Sequence, residues 1–182
     1  MKVKEILHPA AVLVVICLVV TFCLAGTNLL TRGRIAEAKR QTESASQKAV
    51  LPQAGSFEDA PDRSCTVGKA GNRVVGYVFV TKTKSYGGDL SVMTGIDRSG
   101  NVTGTELLSS SDTPGLGLNA EKESFRSQYK QPAPPEGFAV VKSKTGAKGE
   151  IDAITSATIT SKAYTSCVNQ AIKEFKKVKG SE

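Results

Sequence analysis

"DLSVMTGIDRSGNVTGTELLS", residues 89–109, holds two runs rich in apolar and β-branched residues, 89–97 and 101–109, on either side of "RSG". A short glycine-bearing turn between such runs is the signature of a β-hairpin. Just upstream, "RVVGYVFVTK" (73–82) is apolar and β-branched and predicts a further strand, and "SYGGD" (85–89) is the punctuation between them. "FAVVK" (138–142) predicts one more strand. The runs are interrupted by segments of helical pattern. "AEKESFRSQYK" (120–130) places Phe125 and Tyr129 one turn apart, with Asn119 as the expected N-cap and a stop before Pro132. "SKAYTSCVNQAIKEFKKVK" repeats Ala163, Cys167, Ala171 with Ile172, and Phe175 at helical spacing, and its C-terminal lysines suit the macrodipole. The expected fold class is α+β, an antiparallel sheet with flanking helices.

The N-terminal part is of another kind. From Pro9 to Thr31 there is no charged residue. At about 1.5 Å per residue a helix of that length crosses a hydrocarbon core. A signal-peptide core is shorter, about 7–15 residues, so an uncleaved single-pass anchor is favoured over a cleaved leader. "RGRIAEAKRQTESASQKAVLP" follows, with good helix formers as far as Pro52, and reads as a stalk continuing the membrane helix. "QAGSFEDAPDRSC" (53–65) reads as a loop. The expected organisation is an N-terminal tail and transmembrane helix over 1–31, a helical stalk over 32–51, and a domain over 52–182.

Charge and composition narrow the function. The chain has 182 residues and a net charge of +7. Lys2, Lys4, Arg32, Arg34, Lys39 and Arg40 flank the apolar segment, a placement that suits anionic lipid head groups. Aromatic residues make up only 5% and there is no Trp, which argues against a nucleic-acid partner. Two basic residues precede the span and four follow it closely, so the positive-inside rule by itself weakly places the domain in the cytoplasm. Cys17 and Cys23 fall in the span, while Cys65 and Cys167 lie far apart in the rest, leaving a bridge between them open. There is no CxxC or His/Cys cluster, so no metal site is expected. The only histidine, His8, sits at the membrane entry, which leaves the domain without a histidine base; no catalytic residue is expected.

"DAITSATITSK" (152–162) carries four hydroxyls, Thr155, Ser156, Thr158 and Thr160, within six positions. The C-terminal helix is expected to begin near Thr160 or Ser161, which puts Thr158 in the turn before it. Helix N-termini favour hydroxyl caps, and they also favour anions such as phosphate. Residue chemistry alone leaves both readings open.

The segment "DAITSAT" (152–158) resembles the flavinylation motif Asp-x-x-Ser/Thr-Gly-Ala-Thr of the covalent FMN-binding domain family. That family includes the G subunit of Rnf ion-translocating electron-transport complexes and the C subunit of the sodium-pumping NADH:quinone reductase. "SYGGDLSVMTGIDRSGNVTGTELL" and "SDTPGLG" are similar in content and order to the Rnf protein, as are the anchor and stalk. The resemblance covers nearly the whole chain. It departs at Ser156, where Gly is usual, and at Asp112, where Glu is usual.

The resemblance implies that Thr158 carries FMN through a phosphoester, with Ser156 and Ala157 beside it. It implies that Asp152 is read by a separate flavin transferase, which takes FMN from FAD and leaves AMP. A flavin needs a wall for its ring, polar groups for the ring edge and an anchor for its phosphate. In "TPGLG", Gly115 and Gly117 let the backbone approach closely, Leu116 gives apolar contact and Thr113 a hydroxyl. Tyr86 with Gly87 offers a second wall. Lys144, along with Lys142, Lys148 and Lys162, is a candidate to face the phosphodiester. The implied function is the covalent-FMN electron-transfer subunit of a membrane-bound ferredoxin:NAD oxidoreductase that moves Na⁺ or H⁺. The alternatives are the C subunit of the quinone reductase, or a flavin-free anchored binding or sensor module. The implied partners are other Rnf subunits, the transferase and membrane lipid, with the FMN domain on the extracytoplasmic side and the N-terminus in the cytoplasm.

Overall fold

The computed structural model describes residues 3–60 and 64–180. The chain divides into two units, Met1–Thr42 and Glu43–Glu182.

The first unit is helical. Helix α1 spans Val3–Val50, and its most apolar 18-residue window has a mean hydropathy of 2.7 with none of it buried by the protein. Among the described residues it is the one helix long and apolar enough to cross a membrane. Its hydroxyls are satisfied internally: Thr27 donates to the carbonyl of Cys23 and Thr31 to that of Thr27, each at 2.8 Å. Such back-bonding removes the cost of placing a free hydroxyl in hydrocarbon.

The second unit takes in the last turns of α1 and is built on a five-stranded antiparallel meander in the order β1-β2-β3-β4-β5. The strands are β1 (Ser56–Asp59), β2 (Thr66–Ala70), β3 (Arg73–Lys84), β4 (Asp89–Asp97) and β5 (Val102–Ser110). The β4–β5 hairpin closes through Arg98–Gly100. Asp97 organises this turn by accepting the amides of Ser99 at 2.8 Å and Asn101 at 2.9 Å. The first strand contradicts the expected loop over 53–65, and the second follows directly on it. β1 is the sheet edge and β2 lies next to it; both are short and mostly polar, each with one apolar side chain on a core, Phe57 and Val67, and cross-strand polar pairs join them. Lys69 meets Glu58 at 2.6 Å, and Thr66 donates to Asp59 at 3.0 Å. The expected strand over 138–142 shortens to β6 (Ala139–Val141), which runs parallel to β7 (Glu150–Asp152) in a separate two-stranded ribbon.

The last helix, α3 (Thr158–Gly180), lies across one face of the sheet. Tyr164, Cys167, Val168, Ala171, Ile172 and Phe175 share one core with Tyr77, Phe79, Leu90, Val92 and Ile96. The segment expected as one helix over 120–130 is three short pieces: 3₁₀ turns at Gly117–Glu121 and Ser127–Tyr129 around a single α-turn, α2 (Glu123–Arg126). Asn119 caps nothing here; its side-chain amide donates to the carbonyl of Gly115 at 2.7 Å. These turns deliver Phe125 and Tyr129 to the core, where they meet each other and Tyr164 with ring centroids 5.3–5.7 Å apart. Each such pair is worth about 0.5–1.5 kcal/mol beyond burial. Cys65 and Cys167 are both buried thiols in this core. Burial pushes the Cys167 thiol pKa up, with Thr81 offsetting only part of it.

The opposite face is covered by Val50, Leu51 and Ala54, which pack on Val78 and Met93. Glycines make this approach close. A Cβ at Gly95 would sit 2.3 Å from the carbonyl oxygen of Val50.

Candidate functional site

Three segments far apart in sequence meet at one end of the second unit: the turn after β3, the loop after β5 and the start of α3. Between them lies an open cleft of about 460 Å³, lined by Tyr86, Asp112, Thr113, Leu116, Gly117 and residues 156–160. That volume lies within the range of about 300–1,000 Å³ usual for cofactor and ligand sites.

The loop "DTPGLG" is shaped by its turn chemistry. Thr113, Pro114, Gly115 and Leu116 form a turn in which the Leu116 amide donates to the Thr113 carbonyl at 3.2 Å. Gly115 has φ of +80°, the conformation that follows proline in a type II turn. Leu116 is thereby 45% exposed on the cleft wall and does not plug the core. Gly115 shapes the turn but does not itself line the cleft.

Asp112 ties this loop to the turn after β3. It accepts the Ser85 hydroxyl at 2.6 Å and the Gly87 amide at 2.7 Å. Its burial opposes ionisation. The hydrogen bonds from Ser85, Gly87, Thr160 and Ser110 outweigh that and hold its carboxyl below the ordinary carboxylate value. Gly87 has to be glycine here, because a Cβ would lie 2.1 Å from the Ser111 carbonyl oxygen. A Cβ at Gly117 would lie 2.7 Å from both Asp112 Cβ and Thr160 Oγ1.

The hydroxyl run has one exposed and one buried face. Helix α3 begins at Thr158, earlier than the expected start near Thr160 or Ser161. Thr160 and Ser161 are therefore buried in its first turn and are not N-caps. Ser161 back-bonds to the Ala157 carbonyl at 2.9 Å and accepts the Ile154 amide at 2.9 Å, closing the loop onto the helix. Ser156 has φ of +63°, the left-handed region. Glycine is the residue best suited to that conformation. Thr158 is exposed in the cleft at the helix N-terminus, where no acidic side chain occupies the first turn. The first amides of a helix have no intrahelical acceptor, so this end favours an anion.

Among the expected site residues, Tyr86, Thr113, Leu116, Gly117, Ser156, Ala157 and Thr158 line the one cleft, and Gly87 sits behind it on Asp112. Lys144 does not line it; its backbone amide donates to Asp152 at 2.8 Å. Lys142 and Lys148 are also outside, and Lys162 lines a different groove on α3. Asp152 ends β7 and faces another groove, with its own amide donating to Gln128 Oε1 at 2.8 Å. Ile159 and Thr160 line the cleft beyond the expected contacts, and so does Asp112, which the sequence marks only as a departure from Glu. The helical spacing of α3 does carry Ile159 and Thr160 to its N-terminus once the helix is started two or three residues earlier, at Thr158.

A long apolar N-terminal helix and a family match define the class, a protein with an FMN-binding domain. Residues 85–173 match the family of the FMN-binding domain, and residues 1–50 match the RnfG N-terminal region. The chain is 35% identical to the G subunit of the Na⁺-translocating ferredoxin:NAD⁺ oxidoreductase complex of Acetobacterium woodii, over 94% of this chain and 92% of the relative. It is 31% identical to the G subunit of the proton-translocating complex of Clostridium ljungdahlii, over 89% and 87%. The chain belongs to the G-subunit family of ion-translocating ferredoxin:NAD⁺ oxidoreductase complexes. Its fold is that of the C subunit of the Na⁺-translocating NADH-quinone reductase. The Parabacteroides distasonis structure aligns with a TM-score of 0.50 at 21% identity over 61% of each chain. Shewanella oneidensis NqrC aligns with a TM-score of 0.54 at 14% identity over 74% of each.

The residues present fit FMN. The cleft offers exposed apolar side chains, Tyr86, Leu116 and Ile159, for a flat ring, and a helix N-terminus for a phosphate.

Proposed function

We propose that this chain carries FMN covalently, as a phosphoester on Thr158, and relays electrons one at a time within an Rnf-type complex. The observation that carries the reading is the exposed Thr158 hydroxyl at the N-terminus of a 23-residue helix, inside a cleft with an apolar rim. FMN, when bound, supplies the redox chemistry. The chain supplies position. The α3 N-terminus holds the phosphate, Leu116 and Tyr86 flank the ring, and Thr113 offers a hydroxyl to its edge.

Attachment is the work of a separate flavin transferase. The Thr158 oxygen attacks the FMN phosphorus of FAD, the pyrophosphate bond breaks, AMP leaves and the hydroxyl proton is lost. Exposure of Thr155, Ser156 and Thr158 supports access by such an enzyme, and Asp152 is the acid it reads. The domain lies on the extracytoplasmic side, as the resemblance implies and against the weak charge asymmetry around the span. The coupling ion moves through other subunits, because Pro9–Thr31 carries no Asp, Glu, Lys, Arg or His to line a path. The full-length likeness to two Rnf proteins of the G-subunit family favours this reading over the C subunit of the quinone reductase.

The test is in-gel fluorescence of the denatured protein after co-expression with the transferase. Wild type glows and Thr158→Ala does not, and intact mass shows an increment of one FMN minus water. A dark wild type overturns the assignment in favour of a flavin-free anchored module, and a glowing variant overturns Thr158 as the attachment residue. Protease added to intact cells reaches the domain if it is extracytoplasmic.

A further inference from the structure

Asp112 is the only charged side chain among the described residues that line the cleft. It is 6% exposed, at the junction of all three segments that build the site. No lysine or arginine pairs with it among the described residues. Its two oxygens are held by the Ser85 hydroxyl and the Gly87 amide, so the charge is fixed in place. The same bonds hold its pKa low, and at neutral pH it is an anion. Gly117, which leaves no room for a Cβ, brings the loop close over the carboxylate.

We infer that Asp112 is a potential-setting residue of the flavin cleft, a fixed anion with no cationic partner among the described residues, which lowers the reduction potential of the FMN carried there. This rests on the reading of Thr158 as the attachment site. Uptake of one electron without a proton makes the bound group one charge more negative. A carboxylate in the same cleft opposes that charge, and the partly apolar lining weakens the screening. Asp112 thus does two things. It positions the loop after β5 against the turn after β3, and it biases the site toward the oxidised cofactor.

The experiment is a reductive titration of the full-length, flavin-loaded protein in detergent, with dithionite as the electron donor and indicator dyes to read the midpoint. Asp112→Asn keeps the shape and removes the charge, and its midpoint shifts to a more positive potential. Asp112→Glu keeps the charge, and its midpoint stays with wild type. A loaded Asp112→Asn protein with the wild-type midpoint overturns the inference, whatever its melting temperature. Should Asp112→Asn fail to fold, Ser85→Ala serves in its place. It strips one donor from the carboxylate, leaves the charge less neutralised, and shifts the midpoint to a more negative potential; an unmoved midpoint overturns the inference. Loading is read separately by gel fluorescence. A dark wild type overturns the attachment reading, and this inference with it, whereas a bright protein with unmoved midpoints overturns this inference alone.

Discussion

The Ser161 hydroxyl accepts the amide of Ile154 at 2.9 Å, and with the Ala157 amide donating to the Ile154 carbonyl at 2.9 Å it closes the loop that presents Thr158. Ser161 is fully buried and also back-bonds to Ala157, so both hydroxyl functions are used. Ser161→Ala leaves the Ile154 amide without its acceptor. The donor is only partly buried, so the expected cost is about 1 kcal/mol, the low end of the penalty for an orphaned donor. Urea denaturation checks the loss, and a variant as stable as wild type would show the closure to be dispensable.

Ser156 sits at φ +63°, a conformation that costs a non-glycine residue about 1–2 kcal/mol. Ser156→Gly relieves that strain but loses about 0.5–1 kcal/mol to unfolded-chain freedom. The net expectation is a small gain in melting temperature. Ser156→Val, β-branched at a positive φ, is expected to lose about 1–3 kcal/mol. The two variants must move in opposite directions in a thermal melt; equal shifts contradict the strain argument.

Gly95 touches the backbone of Val50, and a Cβ there would lie 2.3 Å from the Val50 carbonyl oxygen. Gly95→Ala therefore displaces the C-terminal end of α1 from the sheet. The expected loss is about 1–3 kcal/mol, as for overpacking of a filled core. Gly55→Ala is the control, since its nearest contact is an ordinary 3.8 Å. Chemical denaturation of the two variants separates a specific clash from a general intolerance of alanine for glycine.

Asp112 has a pKa below its reference value of 3.8. A depressed folded-state pKa contributes stability that is fully present above the unfolded-state value. That stability is lost as pH falls through the folded-state value. Wild type is thus expected to lose stability in the acid range below about pH 4 more steeply than Asp112→Asn. Denaturation midpoints across that range check it, and parallel curves would remove Asp112 from the acid response.

Most of the second unit's sheet is legible in the sequence because its long strands are written locally. β3, β4 and β5 are apolar runs separated by glycine turns, and α3 repeats its core positions at helical spacing. β1, β2 and β7 are not legible, because they are three to five residues long and owe their form to a neighbouring strand. Helix α3 starts before the point its local pattern suggests. Thr160 and Ser161 look like caps in isolation, but burial and back-bonding draw them into the helix. Lys144 shows the converse, a charge that suits phosphate by type and does not line the cleft.

The sequence by itself determined the long apolar N-terminal helix, the hairpin, the amphipathic last helix and the family motif ending at Thr158. Each is local, set by hydrophobic period, turn residues and the order of a few side chains. Only the tertiary structure decided that Ser85, Asp112 and Thr160 meet, and that Leu116 faces outward while Ser161 is buried. Those facts depend on contacts between segments separated by 27 to 48 positions in the chain, and a local pattern carries no record of which distant group will satisfy a buried carboxylate.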